Sequence, residues 1–322
     1  MIDRIFLRNL APLLVLTLLL APIIGCGGDD DGGAEAAGPE GRPEMPDTIQ
    51  LGLIPSEDSE EVLKRYEPLV PWLEEQLGAD VKLFVGTDYS ATIEALKSGR
   101  IDGAFLNSFG YILAADQQAV TLLAAPVDLE TGEFSHYHSG IITHIDSGIE
   151  TLEDLKGKDF GFVDPASTSG HLVPESGLVR EGIDPWDEMN PVYAGGHDVV
   201  LLSVFNQTLP AGATSFGQDA TLDDPFPDSR AERMDEADQI DMEDIRVIWL
   251  SDPIPSGAFV AHAGAPDIVK QRLKETMLAI EEDPDALAVF ERSYGEASDD
   301  RWDPLREAAE LLGLDLEELV NE

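Results

Sequence analysis

Residues 164–171 read Asp-Pro-Ala-Ser-Thr-Ser-Gly-His and follow an apolar segment, Phe160-Gly161-Phe162-Val163. A strand that enters a helix through a small, hydroxyl-rich turn directs free backbone N–H groups and O–H donors toward one point. The helix dipole adds partial positive charge at the same place. No Lys or Arg lies within the turn. The stretch therefore predicts an oxyanion site that uses neutral hydrogen-bond donors.

Strand and helix patterns alternate on both sides of this turn, first from Thr48 to about Val127 and again after Gly148. This alternation predicts two α/β units with mostly parallel sheets. Ligand sites in such sheets lie beyond the carboxyl ends of the strands. We therefore expect the loops that follow strands to converge on one anion-binding crevice without a lysine. These loops are Pro55-Ser56, Thr87-Asp88-Tyr89, Asn107-Ser108, 164–170 and Gly195 to Asp198.

Local signals set the expected helix starts. Ser56 and Asp198 each stand where a side chain can cap the helix that follows, and Pro68 and Pro71 predict bends in the first helix. Residues 218–244 form an acidic stretch with two prolines, which predicts a loop with a polar helix.

The charge balance excludes one class of partner. The 322 residues include 64 Asp and Glu but only 20 Lys and Arg, for a formal net charge of −44. Binding to nucleic acid through phosphate contacts requires Lys and Arg, so we exclude it. Acidic residues spread through the folded region, with few lysines, favour a protein adapted to high salt, and an unusually acidic secreted protein is the alternative.

The N-terminus predicts export. Arg4 and Arg8 precede a short apolar run broken by prolines, so residues 1–26 are interpreted as a secretory signal and not as a membrane-spanning helix. The only cysteine, Cys26, follows Ile-Ile-Gly and resembles a bacterial lipobox, which predicts a lipid anchor; an unmodified thiol is the alternative. Residues 27–46 are rich in Gly and acidic residues and predict a solvated tether. We expect the mature protein at the outer face of the cytoplasmic membrane or in the periplasm.

Several segments occur together in order from about residue 48 to 280: Leu51-Gly-Leu-Ile-Pro55, Gly86-Thr-Asp-Tyr89, Ile101-Asp-Gly-Ala104, 164–170, Gly196-His-Asp198, Ala211-Gly-Ala-Thr214 and Val247-Ile-Trp249 before Ile254-Pro255. In this order they resemble the phosphate/phosphite/phosphonate-binding proteins of ABC importers. The resemblance implies a type II periplasmic-binding fold, in which two lobes joined by a two-segment hinge clamp the ligand. We therefore expect a membrane permease as partner, a monomer without a cofactor, and no catalysis.

The family's binding residues are carried over by motif. The hydroxyl residues 167–169 match the turn that grips the phosphonate oxygens, His197 matches a second-lobe donor, and Tyr89 and Tyr137 match aromatic pocket residues. Asp198 either caps its helix or contacts the ligand, and both interpretations stay open. The residues expected to bind the ligand are Tyr89, Tyr137, Ser167, Thr168, Ser169, His197 and Asp198.

The lobes and the ligand follow from the same comparison. Residues 47–141 with 251–322 are expected to form lobe 1, and residues 142–250 lobe 2. Pro210 stands where the family commonly has Asp, and no acidic residue follows Ala-Thr directly. An ammonium-bearing ligand needs a buried carboxylate there. This shifts the expectation from 2-aminoethylphosphonate toward phosphite or methylphosphonate, although Asp219 or Asp252 could substitute.

Parts of the sequence fit three other functions. Ser167, His197 and Asp198 are the residue types of a hydrolase triad, but adjacent His and Asp seldom have triad geometry, and the Gly-x-Ser-x-Gly motif is missing. His136 and His138, with His144, suggest a zinc or manganese importer's receptor, although no third ligand stands at motif spacing. A sensory binding protein of the same fold is the remaining alternative.

Overall fold

The described part of the chain comprises residues 45–290, 292–316 and 319 of a computed structural model. The predicted signal segment 1–26, with Cys26, and nearly all of the predicted tether lie outside these ranges. None of the described helices is long and apolar enough to cross a membrane.

Strands and helices alternate through these residues. The strands are β1 Thr48–Leu53, β2 Asp80–Val85, β3 Gly103–Leu106, β4 Val120–Val127, β5 His136–His144, β6 Asp159–Phe162, β7 Asn190–Tyr193, β8 Ala211–Phe216, β9 Ile245–Leu250, β10 Ile254–Pro255, β11 Ala258–His262 and β12 Ser293–Gly295. The α-helices are α1 Ser59–Tyr66, α2 Val70–Leu77, α3 Tyr89–Lys97, α4 Ser108–Asp116, α5 Val173–Arg180, α6 Pro185–Glu188, α7 His197–Phe205, α8 Arg230–Glu236, α9 Asp267–Leu278, α10 Pro284–Phe290 and α11 Asp303–Leu312.

The strands form two mixed sheets, which confirms two α/β units. The strand order is β12-β4-β11-β3-β1-β2 in the first sheet and β10-β5-β8-β6-β7 in the second, where β9 also pairs with β5. Only β1 with its two neighbours and β6 with its two neighbours are parallel pairs; the other pairs are antiparallel. The prediction of mostly parallel sheets is therefore wrong.

The chain crosses between the sheets twice. It leaves the first sheet after β4 and enters the second with β5, and it returns between β10 and β11. The strands reached by these crossings, β5 and β11, run antiparallel to both of their neighbours in the sheet order, which explains why the sheets are mixed. Two crossings give two lobes, one for each sheet.

Apolar packing holds each sheet to its helices and the two sheets to each other. Leu51 and Phe259 of the first sheet are buried with Leu273 of α9 in one cluster, and Phe160 of β6 is buried with Leu178 of α5 in another. A third cluster contains residues of both lobes. The C-terminal helix α11 packs against α4, next to the first sheet, and against α5, next to the second.

Two expected helix caps are wrong. Asp58, and not Ser56, caps α1: its carboxylate accepts hydrogen bonds from the backbone N–H groups of Glu60 and Glu61. Helix α7 begins at His197 with Gly196 as its N-cap, so Asp198 lies in the first turn and does not cap it. In both places the loop that follows the strand takes part in contacts between the lobes, described below.

Candidate ligand-binding site

The turn after β6 is built by its own hydrogen bonds. Ser167 Oγ accepts from the backbone N–H of Gly170 at 3.1 Å, and the N–H of Leu172 donates to the carbonyl of Ser167 at 3.1 Å, which makes residues 168–172 one π-turn that continues into α5. Gly170 lies so close to Val163 that a Cβ would come within 2.3 Å of its side chain. The first N–H groups of a helix have no acceptor inside it, so Thr168 and Ser169 present theirs at the turn.

The three consecutive hydroxyls are all buried. Ser167 lies near the hydroxyl of Tyr89, and Thr168 and Ser169 lie near that of Tyr137, close enough to lower the tyrosine pKa values against the effect of burial. Thr168 Oγ1 accepts from the side-chain amide of Asn107 at 3.0 Å and from the N–H of Phe109 at 2.9 Å. Residues of the first lobe and of β5 thus meet the turn directly.

Both tyrosines are protonated donors. Tyr89 is 1% exposed, and burial raises its pKa, while its hydrogen bond to Ser167 opposes that shift. Burial also raises the pKa of Tyr137, against hydrogen bonds to Thr168, Ser108 and Ser169. At neutral pH each tyrosine therefore keeps an O–H group directed into this cluster of hydroxyls.

His197 adds a neutral imidazole. Its Nδ1 lies 3.1 Å from Thr214 Oγ1, and its backbone N–H donates to the carbonyl of Ser56 in the first lobe at 3.0 Å. Burial lowers the pKa of His197 to about 4. The ring is therefore uncharged at neutral pH, with one N–H donor and one acceptor nitrogen.

Two carboxylates connect the lobes. Asp164 accepts from the N–H of Ala166 at 2.8 Å and from the N–H of Tyr89 at 3.4 Å, and burial raises its pKa. Asp198 Oδ2 accepts from the N–H of Asp58 at 3.2 Å, and its buried Oδ1 has no hydrogen-bond partner among the described residues. Both side chains are held mainly by backbone amides.

No Lys or Arg of the described residues is bonded to this cluster. Within the described ranges, no hydrogen bond or ion pair joins a Lys or Arg to residues 164–170, to the two tyrosines or to His197. The turn and the tyrosines thus offer hydroxyls and amides where the two lobes meet, and His197 offers a neutral imidazole where it contacts Ser56 and Thr214. Donors of this kind suit an oxyanion.

The structure also shows how the histidines considered as metal ligands are used. His138 has one ring nitrogen 2.8 Å from the carbonyl oxygen of Ser251 and the other 3.3 Å from that of Gln218, and His144 accepts from the N–H of Asp146. In the described part of the chain no group of three or more His, Cys, Asp or Glu side chains is arranged to hold a metal ion.

Three contributors were missed by the sequence analysis as site residues: Asn107, Ser108 and Thr214. All three stand in segments that it had singled out, two in a loop after a strand and one in Ala211-Gly-Ala-Thr214. Asn107 follows β3 directly, and a polar residue directly after a buried strand was the available signal.

The family follows from sequence comparison. Residues 51–305 match the family model described as ABC transporter, phosphonate, periplasmic substrate-binding protein. The chain belongs to this family. As a family member it is the substrate-binding component of an ABC phosphonate or phosphate importer, it works with a membrane permease, and it is not an enzyme.

Named relatives agree with this assignment. The chain is 33% identical over 243 residues to the phosphate-import protein PhnD of Mycolicibacterium smegmatis. The aligned residues cover 73% of this chain and 72% of the relative. It is 26% identical over 272 residues to the phosphonates-binding periplasmic protein of Escherichia coli, or 83% of this chain and 74% of that one.

Solved structures confirm the type II, two-lobed fold of this family member. A binding protein component of an ABC phosphonate transporter from Pseudomonas aeruginosa has a TM-score of 0.71 at 25% identity, covering 82% of this chain and 86% of that one. PhnD1 from Prochlorococcus marinus, in complex with methylphosphonate, has a TM-score of 0.68 at 18% identity, and the match covers 83% of this chain and 98% of that one.

Proposed function

We propose that this protein captures a small phosphorus oxyanion (phosphite, phosphonate or phosphate) between its two lobes and delivers it to the permease. The observation that carries the proposal is the meeting of the 167–169 hydroxyls with Tyr89 and Tyr137, all of them neutral donors. The neutral imidazole of His197, which contacts Thr214, supports it. In a closed cleft that excludes water, such donors bind anions well because few polar groups are left unpaired. Asp198 contributes through its first-lobe contact.

The lobes were expected at 47–141 with 251–322 and at 142–250. Because β5 and β10 pair in the second sheet, we propose bounds at the crossings between β4 and β5 and between β10 and β11, about which the lobes close. Closure is supported by hydrogen bonds between the lobes, among them His197 N–H to Ser56 and Asp58 N–H to Asp198. We propose that the ligand induces these contacts, so that the permease recognises a closed, loaded protein.

Within this class, we propose phosphite or methylphosphonate ahead of 2-aminoethylphosphonate. An ammonium group needs a free carboxylate acceptor near the oxyanion. Pro210 stands where the family commonly has Asp, and Asp164 of the turn already accepts from two backbone amides. Asp219 lies in the segment after β8; burial lowers the pKa of His136, and the charge of Asp219 partly opposes that shift.

We further propose that Cys26 carries a lipid that holds the protein at the outer face of the membrane, and that the acidic surface is an adaptation to high salt. Mass spectrometry of the membrane fraction tests the anchor: a diacylglyceryl group on Cys26 is expected, and an unmodified thiol refutes it. We also propose that the protein acts as a monomer.

Titration calorimetry of the purified protein at high salt tests the binding function. The ligands are phosphite, methylphosphonate, phosphate and 2-aminoethylphosphonate, the last serving as the matched ammonium-bearing control for methylphosphonate. We expect tighter binding of the small anions. Absence of heat with all four ligands would refute the proposal, and tightest binding of 2-aminoethylphosphonate would refute the preference for a small anion.

A further inference from the structure

The geometry points to Asn107 as a positioning residue: we infer that it orients the Thr168 hydroxyl so that this hydroxyl donates a hydrogen bond to the bound oxyanion. The inference rests on the proposed function and extends it to a first-lobe residue outside the predicted site. Asn107 lies between β3 and α4, and the turn that carries Thr168 belongs to the second lobe.

The orientation of the Asn107 amide is decided by Ala166. Asn107 Nδ2 lies 2.9 Å from the carbonyl oxygen of Ala166, which can only accept a hydrogen bond. The opposite orientation would place two acceptor oxygens against each other. The NH₂ group must therefore face the second lobe, and Oδ1 is left buried without a partner in the described part of the chain.

The orientation of Thr168 follows from that of Asn107. The same Nδ2 is 3.0 Å from Thr168 Oγ1, and the backbone N–H of Phe109 is 2.9 Å from it. Both neighbours are N–H groups, so the hydroxyl oxygen accepts from each. A hydroxyl has two acceptor lone pairs and one proton. With both lone pairs used, the only remaining interaction of Thr168 is to donate.

The proton of Thr168 then has two places to go. Tyr137 is within hydrogen-bonding reach of Thr168 and Ser169, and the ligand is expected in the same cluster of hydroxyls. The ionised oxygens of an oxyanion only accept hydrogen bonds, so an oxyanion is a ligand that suits a hydroxyl restricted to donation. Because both donors to Thr168 come from the first lobe, the hydroxyl takes this orientation only when the lobes are together.

A mutant cycle tests this assignment. Asn107→Ala is made in three backgrounds: wild type, Thr168→Ser, which keeps the hydroxyl, and Thr168→Val, which keeps the shape without it. The affinity for methylphosphonate and for phosphite is measured by calorimetry. We expect Asn107→Ala to weaken binding about 3- to 10-fold in wild type and in Thr168→Ser, and less than about 2-fold in Thr168→Val.

The outcomes separate this assignment from the proposed function. The same fold-loss in the Thr168→Val background shows that Asn107 acts through general structure and overturns the assignment alone, as does an unchanged affinity in wild type. A wild-type protein that binds neither probe overturns the proposed preference for phosphite or methylphosphonate and the assignment with it, and if phosphate and 2-aminoethylphosphonate also fail to bind, the proposed function is overturned as well. If circular dichroism shows that Asn107→Ala does not fold, Asn107→Leu, which preserves volume without a donor, takes its place in the same cycle.

Discussion

Glu57 and Arg230 form an ion pair that joins the two lobes, and both side chains are more than nine-tenths buried. Glu57 lies in the loop after β1, and Arg230 is the first residue of α8. Burial lowers the pKa of Arg230 to about 9, which leaves the guanidinium charged at neutral pH. The neighbours of Glu57, Ser56 and Asp58, bond to His197 and Asp198 through their backbone, so this loop docks on the second lobe at three successive residues.

Arg230→Met is expected to weaken ligand binding by about 2 kcal/mol, or about 30-fold, because it leaves Glu57 buried and partly unpaired only when the lobes are closed. Arg65 also pairs with Glu57 but belongs to α1 of the same lobe and is 45% exposed on its side chain. Arg65→Met is therefore the matched control, with a change under about 3-fold. Calorimetry of both variants measures the ligand affinity. Equal losses of affinity in the two variants would show that the Glu57–Arg230 pair does not act through closure.

Ser167→Ala is expected to weaken binding of phosphite or methylphosphonate by about 1–3 kcal/mol, or roughly 5- to 150-fold, through the loss of one donor. Because Ser167 also caps the π-turn, the free energy of unfolding should fall by about 1 kcal/mol. Ser176 is an equally buried serine whose Oγ donates to the carbonyl of Val173 within α5. Ser176→Ala should alter only stability, and a similar loss of affinity in this control would contradict the assignment of Ser167.

The fold was predictable where the local pattern was strong. The hydroxyl-rich turn lies directly after β6, where the sequence analysis expected it. By contrast, β8 was not predicted as a strand, because Ala211-Gly-Ala-Thr-Ser-Phe216 consists mostly of small residues with low strand propensity. The strand conformation of β8 comes from its pairing with β5 on one side and β6 on the other. A local sequence pattern does not contain this information.

The candidate site was predictable to the same degree. Ser167, Thr168 and Ser169 stand in one recognisable segment, whereas Asn107 becomes part of the site only through its contact with Thr168, sixty-one residues along the chain. The Asp198 carboxylate illustrates the same limit, since its expected position just before a helix suggested a cap and its actual contact is with Asp58 of the other lobe. Contacts between lobes depend on closure, and no periodicity or spacing encodes them.

His197 predicts a pH dependence of stability. Its pKa is about 4 in the folded protein, lowered by burial, against 6.5 for the ordinary value. Between these values the unfolded state binds more protons, so its contribution to stability is fully present above about pH 6.5 and is lost as the pH falls toward 4, by about 3 kcal/mol. Denaturant unfolding of the ligand-free protein and of His197→Asn checks this. A difference between the two that stays constant from pH 7 to 4 would contradict a buried neutral imidazole.

The net charge of −44 predicts that stability rises with salt. Self-repulsion of the acidic surface is screened as the Debye length falls from about 10 Å at 0.1 M to about 3 Å at 1 M. The midpoint of thermal unfolding is therefore expected to increase between 0.1 and 1 M KCl, with the larger part of the rise at the low end. A midpoint that is unchanged or lower at 1 M would argue against salt adaptation.

The same charge predicts an unusual salt dependence of ligand capture. Lys or Arg side chains at a binding site attract an approaching anion. Salt screens this attraction and therefore slows association. Here the anion approaches a strongly negative protein whose described site residues bond to no cation, so salt should remove a repulsion and raise the association rate constant. Stopped-flow measurement of Tyr or Trp fluorescence with phosphite at 0.1 and 1 M KCl checks this, with sodium chloride as a control for ion identity. A rate constant that falls with salt would mean that a cation steers the ligand, and the neutral-donor account of the site would then be wrong.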